Sequence, residues 1–229
     1  MPMYHKNKMS KYEVIIFDLD GTLTDSKVGI TKSIQYALSR LDIIENDLDK
    51  LKLFIGPPLI ESFKMHYSFD QSKARKAVDF YREYFSEFGI YENKLYPGIP
   101  ELLRGLKSNN KKLVLATSKL TIFAERVLKY FDLYDLFDLI VGSNPDGTRF
   151  LKKEMVKDIL LELQNFQKQD FIVAGDREDD ILAAKDNGLS SIAVTYGYGS
   201  IEELKKAKPD YFAHSLEDIK RIINEDNDS

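Results

Sequence analysis

The chain has 229 residues and a net charge of −4, and hydrophobic residues make up 43% of it. This composition is typical of a globular protein, and the length fits one large domain or a core domain with a smaller insert. The sequence has no long basic block of the kind that binds a nucleic-acid backbone, so we expect no nucleic-acid partner. It also contains no cysteine, which excludes disulfides and cysteine-based zinc sites.

The N-terminal residues 1–11 are polar and basic, unlike a secretory signal. No apolar run approaches the roughly 18–20 residues that span a bilayer, so we expect no membrane contact. These features favour a cytoplasmic protein, which we expect to be a monomer or a weak homodimer. The last six residues, 224–229, have the composition of a solvated tail.

The first predicted element is a short, apolar and β-branched strand at residues 13–17, which Asp-Gly follows closely. Such a run is typical of a strand that is buried on both faces of a sheet. Five later segments have a similar pattern, the last of them weaker. They are residues 112–117, 139–142, 171–175, 191–195 and 211–213.

Segments with helical spacing of apolar residues alternate with these strands. They are residues 99–108, 123–131, 153–163 and 178–187. Gly188 is positioned to end the last of them. The alternation predicts a Rossmann-like α/β core, in which helices cover both faces of a parallel sheet. Right-handed crossovers then bring the C-terminal ends of the strands to one edge, where such folds bind ligands.

The stretch from residue 28 to residue 96 breaks this alternation and contains no convincing strand. Its patterns are helical, at residues 30–41, 59–65 and 74–88. We therefore expect an all-helical domain at 28–96, inserted into a core domain formed by 1–27 and 97–229. Its large apolar side chains are expected to form its own core; these are Phe54, Met65, Tyr81 and Tyr84.

Polar side chains follow three of the predicted strands. Asp18 and Asp20 follow the first, Thr117 ends the second, and Asp176 precedes an acidic run at 178–180. In a parallel sheet these groups would meet at one edge. Crowded carboxylates repel one another, and oxygen ligands suit Mg²⁺. Alternatively, each of these residues is only a turn or helix-capping residue.

The run Phe17-Asp18-Leu19-Asp20-Gly21-Thr22-Leu23 strongly resembles the opening motif of the haloacid dehalogenase superfamily. Residues 113–119, the region of Lys152 and residues 173–180 resemble its second, third and fourth motifs, in the same order and at matching separations. A helical insert after the first motif is similar to the cap of phosphoglycolate phosphatase-like members, and Tyr96-Pro97-Gly98 resembles the end of that cap. The resemblance extends from about residue 11 to residue 221.

The resemblance implies a Mg²⁺-dependent phosphatase that acts on a small-molecule phosphate ester. Asp18 would attack phosphorus and become an aspartyl-phosphate, while Asp20 would serve as general acid and then as general base. Thr117 would hydrogen-bond a phosphoryl oxygen. Lys152 would neutralise charge on the transferred group.

The same resemblance implies a metal site and further phosphate contacts. Asp176 would hold Mg²⁺ together with Asp18 and the backbone carbonyl of Asp20, and Asp180 would lie behind these ligands. The remaining residues expected to bind the phosphate are Gly21, Thr22, Ser118 and Lys119.

Several alternatives stay open at this point. The lysine of the third motif could be Lys152 or Lys153, and the position of residues 146–149 favours Lys152. Gly56-Pro57-Pro58 could be a substrate loop or a rigid turn, and Arg149 could steer an anionic substrate or form an exposed ion pair. No catalytic role is assigned to the three histidines, which are His5, His66 and His214.

The substrate and the reaction variant also stay open. Phosphoglycolate, nucleoside monophosphates and sugar phosphates are the candidate substrates. A phosphomutase would also carry an aspartate at position 20, whereas a dehalogenase of this superfamily would not need it. A phosphonatase would need a lysine in the helical insert, where ordinary surface lysines are present. A non-catalytic binding module is the alternative from another functional class.

Overall fold

A computed structural model of the protein describes residues 11–145 and 151–224. Its strands, in chain order, are β1 (Val14–Phe17), β2 (Thr24–Asp25), β3 (Lys94–Leu95), β4 (Lys112–Leu120), β5 (Leu139–Ser143), β6 (Phe171–Gly175), β7 (Ser190–Val194) and β8 (Tyr211–Ala213). Its helices are α1 (Lys27–Ser39), α2 (Leu59–Tyr67), α3 (Gln71–Tyr84), α4 (Ile99–Ser108), α5 (Thr121–Tyr130), α6 (Lys152–Glu162), α7 (Glu178–Asn187), α8 (Ile201–Ala207) and α9 (Leu216–Asn224).

Six of the strands form one parallel sheet in the order β5-β4-β1-β6-β7-β8. The first strand of the chain lies inside this sheet, where Val14 pairs with Lys112 on one side and with Phe171 on the other. All four residues of β1 are buried, as a strand covered on both faces requires. The predicted Rossmann-like α/β fold is confirmed.

Successive residues of a strand point to opposite faces of the sheet, so the all-apolar strand β1 presents apolar side chains on both faces. Helices cover both of these faces. Ile15 and Phe17 belong to a hydrophobic cluster that includes residues of α4, α5 and α9. Val14 and Ile16 belong to a second cluster, formed with α6 and α7. The two clusters give the core three layers, with the sheet in the middle.

The segment between β2 and β3, residues 26–93, is called the helical segment below; it contains α1, α2 and α3. It leaves the sheet edge through β2 and returns through β3, and these two strands form an antiparallel pair. The prediction of no strand in 28–96 is therefore wrong at β3, which is only two residues long. Met65 is 76% exposed, so its predicted place in the core is also wrong.

Other boundaries differ from the prediction in smaller ways. β4 continues to Leu120, with a shift of register between Thr117 and Leu120. The last two helices, α8 and α9, lie in a part of the chain where no helix was predicted. Gly188 ends α7 in the left-handed conformation, as predicted. Within the two described ranges, no helix combines the length and apolar character that crossing a membrane requires.

Candidate active site

The first motif leaves the sheet at its C-terminal edge and turns back at once. The backbone N–H of Asp18 donates to the carbonyl of Ala174 in β6, at 3.0 Å, which extends the pairing of β1 by one residue. Gly21 has φ of +90°, a left-handed conformation that favours glycine. Its N–H donates to the carbonyl of Thr24 at 2.8 Å and closes the turn. This turn leaves the carboxyl groups of Asp18 and Asp20 buried at the sheet edge.

Lys152, the first residue of α6, lies against these carboxylates. Its Nζ is 3.1 Å from Asp18 Oδ1 and 2.5 Å from Asp180 Oδ1, and its side chain is 6% exposed. Lys153 is exposed. Of the two lysines that the sequence left open, Lys152 is the one beside Asp18. The residues 146–149 that favoured it lie outside the described residues, as does Arg149.

Asp176 follows β6 at the same edge and is fully buried. Its Oδ1 accepts a hydrogen bond from Thr22 Oγ1 at 3.2 Å, and its Oδ2 accepts one from the backbone N–H of Tyr198 at 2.7 Å. Oxygens of Asp18, Asp176 and Asp180 lie within 4.8 Å of one another. The ends of β1 and β6 and the start of α7 thus place three buried carboxylates close together.

Two buried carboxylate oxygens at this edge are without hydrogen bonds from the described residues. They are Asp18 Oδ1, which Lys152 approaches only as an ion-pair partner, and Asp20 Oδ1. Leaving a buried acceptor unpaired costs about 1–3 kcal/mol, and more for a charged one. A divalent cation bound by oxygen ligands would offset that cost, so these residues fit a hard metal such as Mg²⁺.

The pKa shifts in the cluster also indicate a site that fits a cation. Burial and, to a smaller extent, the neighbouring carboxylates together raise the pKa of Asp18 to about 8, against the opposing effect of Lys152. Burial and Asp180 raise the pKa of Asp176 to about 7. Burial lowers the pKa of Lys152, but Asp18 and Asp180 more than offset this and hold it above its ordinary value. The cluster therefore carries more negative charge than one lysine compensates.

Asp20 has a lysine partner of its own. Lys119 Nζ lies 2.9 Å from Asp20 Oδ2, and the two side chains are 6% and 10% exposed. The same ammonium lies 4.3 Å from the centre of the Phe85 ring, which belongs to the helical segment. Lys119 thus contacts a carboxylate of the first motif and an aromatic ring of the insert together.

Thr117 and Ser118 lie beside this pair, at the irregular end of β4. Thr117 is 2% exposed, and its Oγ1 accepts a hydrogen bond from the backbone N–H of Lys119 at 3.3 Å. The carbonyl of Ser118 accepts one from Ser143 Oγ at 2.9 Å. The helix that follows begins after Leu120, so the alternative that Thr117 caps it is wrong.

A cavity of about 480 Å³ connects these groups with the helical segment. Its base contains the strand-end residues Asp18, Asp20 and Thr117. Its opposite wall contains the Gly56-Pro57-Pro58 loop and one face of α3. The lining residues of that face are Gln71, Arg75, Val78, Asp79, Tyr81 and Arg82. The space beside Asp18 is therefore open to a small molecule and enclosed by the insert.

The segment after β7 also supports the site, and the sequence interpretation did not include it. Tyr198 binds Asp176 through its backbone N–H and donates its hydroxyl to Asp25 Oδ1 at 2.7 Å. A Cβ at Gly197 would lie 2.4 Å from Asp176 Oδ2, and one at Gly199 would lie 1.9 Å from the Asp176 carbonyl. Alternating glycines directly after a strand are a signal of close backbone approach that could have identified this segment.

The histidines lie elsewhere or are not described. His66 packs near the Phe54 ring, at 5.4 Å, and Nδ1 of His214 hydrogen-bonds Thr195 Oγ1 at 2.8 Å. His5 lies outside the described residues.

Comparison with known proteins agrees with this geometry. The family model for haloacid dehalogenase-like hydrolases matches residues 15–194. A 5'-nucleotidase from Pseudomonas aeruginosa is 43% identical over 213 residues, which cover 93% of this chain and 96% of that protein. The tyrosine-protein kinase PtkA of Mycobacterium tuberculosis is 32% identical over 203 residues, which cover 89% of this chain and 69% of that protein.

Among solved structures, one described as a predicted phosphatase from Clostridium acetobutylicum superposes with a TM-score of 0.89. It is 47% identical in sequence, and the match covers 93% of this chain and 98% of that one. These similarities confirm the prediction of a phosphatase-type hydrolase, and they show that the chain belongs to the haloacid dehalogenase-like hydrolase family.

Proposed function

We propose that this hydrolase is a Mg²⁺-dependent phosphatase that cleaves a small-molecule phosphate monoester through an aspartyl-phosphate on Asp18. The observation that carries the proposal is the position of Asp18. Its buried carboxylate lies beside Lys152 and close to two further carboxylates, and it lines the cavity under the helical segment. A nucleophile, its neutralising cation and a place for the leaving group thus lie side by side.

In the first step an oxygen of Asp18 attacks phosphorus while the bond from phosphorus to the ester oxygen breaks. Asp20 donates a proton to the departing oxygen, and the alcohol leaves. Lys119, 2.9 Å from Asp20 Oδ2, stabilises the Asp20 carboxylate that remains. Lys152 and Thr117 offset the negative charge on the phosphoryl oxygens during the transfer.

In the second step a water molecule attacks the aspartyl-phosphate. Asp20 accepts a proton from this water, and the bond from phosphorus to the Asp18 oxygen breaks. Inorganic phosphate leaves, and Asp18 and Asp20 return to their starting states. Dividing one difficult displacement into two easier ones is the general advantage of a covalent intermediate.

We assign the metal to Asp18, Asp176 and the backbone carbonyl of Asp20, with Asp180 holding Lys152 and the start of α7 behind them. When bound, Mg²⁺ supplies positive charge that offsets the repulsion between the phosphate and Asp18. Thr22 and Tyr198 fix both oxygens of Asp176 from behind, which orients this carboxylate before a cation arrives. Ser118, which lines the cavity at the end of β4, is proposed to contact the phosphate. The N–H groups of Gly21 and Thr22, which were expected to do the same, donate within the turn to the carbonyls of Thr24 and Leu19 instead.

We further propose that residues 28–96 form a cap domain over the site, as the cavity between the helical segment and the strand ends suggests. The substrate class that we favour is a nucleoside monophosphate. The relative from Pseudomonas aeruginosa is named for that activity, and the cavity is large enough for a nucleoside leaving group. Phosphoglycolate and sugar phosphates remain the comparison substrates, and a cytoplasmic location is proposed with them.

The test is a screen of phosphate esters with and without Mg²⁺, reported as kcat/KM for each substrate. We expect release of phosphate from p-nitrophenyl phosphate and nucleoside monophosphates with Mg²⁺, and loss of release with EDTA. Asp18→Asn should remove activity, and full activity in that variant would exclude the proposed nucleophile. Isomerisation of a hexose phosphate without release of phosphate would indicate a phosphomutase instead. Phosphorylation of an added protein tyrosine would indicate a kinase.

A further inference from the structure

Arg177 connects the candidate metal site with the helical segment. It follows Asp176 directly and precedes the first residue of α7. Its Nη1 donates a hydrogen bond to the carbonyl of Ile55, and its Nε donates one to Glu203 Oε1 of α8 at 2.8 Å. One guanidinium thus joins a loop of the insert to the sheet edge.

The Ile55 carbonyl begins the loop that forms one wall of the cavity. Gly56, Pro57 and Pro58 all line that cavity. Gly56 has φ of +105°, and a Cβ there would lie 3.0 Å from Arg177 Cγ and 3.2 Å from Nη1. The loop therefore packs directly on the arginine, at a distance that only glycine permits without rearrangement.

Glu203 holds Arg177 in place from the other side. Its Oε1 also accepts a hydrogen bond from the backbone N–H of Glu178 at 3.0 Å, and the side chains of Arg177 and Glu203 are 19% and 20% exposed. A guanidinium can serve two acceptors in fixed directions, whereas the single ammonium of a lysine has no such fork. The arginine is thus oriented before it contacts the loop.

The backbone of the same residue reaches the carboxylate cluster. The N–H of Arg177 donates to Asp180 Oδ2 at 3.1 Å, and Asp180 Oδ1 binds Lys152, which pairs with Asp18. One residue therefore contacts both the loop and the carboxylate cluster.

We propose that Arg177 is a positioning residue that holds the Gly56-Pro57-Pro58 loop against the leaving group of the substrate. The inference rests on the proposed function and adds a determinant of leaving-group binding to it. Substrates with a large leaving group depend on the loop, because their leaving group fills the cavity. Acetyl phosphate, whose leaving group is small, depends on it much less.

The test compares Arg177→Met with the wild-type protein on p-nitrophenyl phosphate, a nucleoside monophosphate and acetyl phosphate. Losing a charge-assisted hydrogen bond and its packing should raise KM about tenfold or more for the two large substrates. With acetyl phosphate we expect KM to change less than about threefold, because its small leaving group makes little contact with the loop. Equal losses on all three substrates would overturn the proposal, since they would indicate general damage to the site.

Matched variants separate the loop contact from other effects. Arg177→Lys should rescue little of the KM effect, because one ammonium cannot bind Ile55 and Glu203 together. Gly56→Ala, which pushes the loop away from an intact Arg177, should raise KM for the same substrates. Arg104→Met removes an exposed arginine of α4, remote from the cavity lining among the described residues, and should change neither parameter.

Amide hydrogen exchange supplies a readout that does not need activity. In Arg177→Met, exchange should become faster at residues 55–62 and stay unchanged in β1 and β4. Unchanged exchange in the loop would overturn the proposal even if KM rises. Faster exchange in an enzyme that hydrolyses none of the phosphate esters would support the loop contact and reject the proposed function instead.

Discussion

The ammonium of Lys119 lies between Asp20 Oδ2, at 2.9 Å, and the ring centre of Phe85, at 4.3 Å. Asp20, the proposed general acid, belongs to the first motif, and Phe85 belongs to the turn that extends α3. The buried ammonium of Lys119 therefore connects the general acid with the helical segment. Replacing this cation changes the charge beside Asp20 and the packing of the helical segment together.

Lys119→Met should lower kcat by about tenfold or more, because the Asp20 carboxylate formed after proton donation loses its compensating charge. Steady-state kinetics with p-nitrophenyl phosphate and Mg²⁺ measure the effect. Lys129→Met is the matched control, since Lys129 also pairs with a carboxylate, Glu125, and lies 4.3 Å from the ring of Tyr134. Equal kinetics in the two variants would contradict a role for Lys119 at Asp20.

Replacing Lys152 should have a larger effect than replacing its neighbour. Lys152→Met leaves two buried carboxylates without their cation, so we expect kcat/KM to fall about 100- to 1,000-fold. Lys153→Met removes an exposed lysine one position along α6 and should leave activity close to wild type. If Lys153→Met caused the larger loss, the assignment of the phosphate-neutralising lysine would be wrong.

Gly21→Ala should disturb Asp176 rather than only the turn. A Cβ at Gly21 would lie 2.2 Å from Asp176 Oδ2, and its φ of +90° adds backbone strain. We expect a lower melting temperature and a smaller stabilisation by Mg²⁺. Gly105→Ala in α4 is the control, because nothing lies within 4 Å of its added Cβ. That change should stabilise the protein by about 0.5–1 kcal/mol.

Mg²⁺ should raise the melting temperature more at high pH than at low pH. The pKa of Asp18 is raised to about 8 and that of Asp176 to about 7. Both pKa values lie above the unfolded-state value near 3.8, so the folded protein holds these two protons more tightly than the unfolded chain does. The resulting contribution to stability is complete at a pH below about 3.8. This contribution is lost as pH rises through about 8. The metal-free protein therefore carries increasing repulsion towards pH 8, which the cation relieves.

Differential scanning fluorimetry at pH 6 and pH 8.5, with Mg²⁺ or with EDTA, measures this difference. Protons compete with the cation for the same oxygens, so its apparent Kd should also weaken towards pH 6. Asp176→Asn should reduce the Mg²⁺ effect at both pH values. A shift by Mg²⁺ that is equal at both pH values and unchanged in Asp176→Asn would place the cation elsewhere.

The sheet could be predicted from the sequence because its strands are uniform apolar runs. Val14–Phe17 and Phe171–Gly175 are buried at every position, so no solvent-facing residue obscures the pattern. The placement of Asp18 and Asp176 at one edge then followed from the parallel topology. β2 and β3 could not be predicted, since two residues each give no periodicity, and Met65 shows that an apolar residue on an amphipathic helix can still face solvent.

The part of the site that the sequence did not reveal depends on main-chain contacts and on contacts between residues far apart in the chain. Tyr198 binds Asp176 through its N–H, which any residue except proline could provide. Arg177 contacts a carbonyl 122 positions away in the chain, and Lys119 pairs with Asp20 instead of facing only a phosphate. Such long-range contacts leave no local pattern in the sequence. Gly197 and Gly199 are the exception, because glycines there allow the backbone to lie directly against Asp176.

The central place of β1 also bears on how the chain folds during synthesis. Its partners are β4 and β6, which pair Val14 with Lys112 and with Phe171. When Val14–Phe17 leaves the ribosome, neither neighbouring strand has been made, and the residues of the helical segment are synthesised in between. One backbone edge of β1 therefore stays unpaired until β4 has been made and the other until β6 has been made, and parallel pairing between such distant segments is slow. During this interval β1 is an apolar strand without partners, and such a strand is prone to aggregation unless a chaperone protects it.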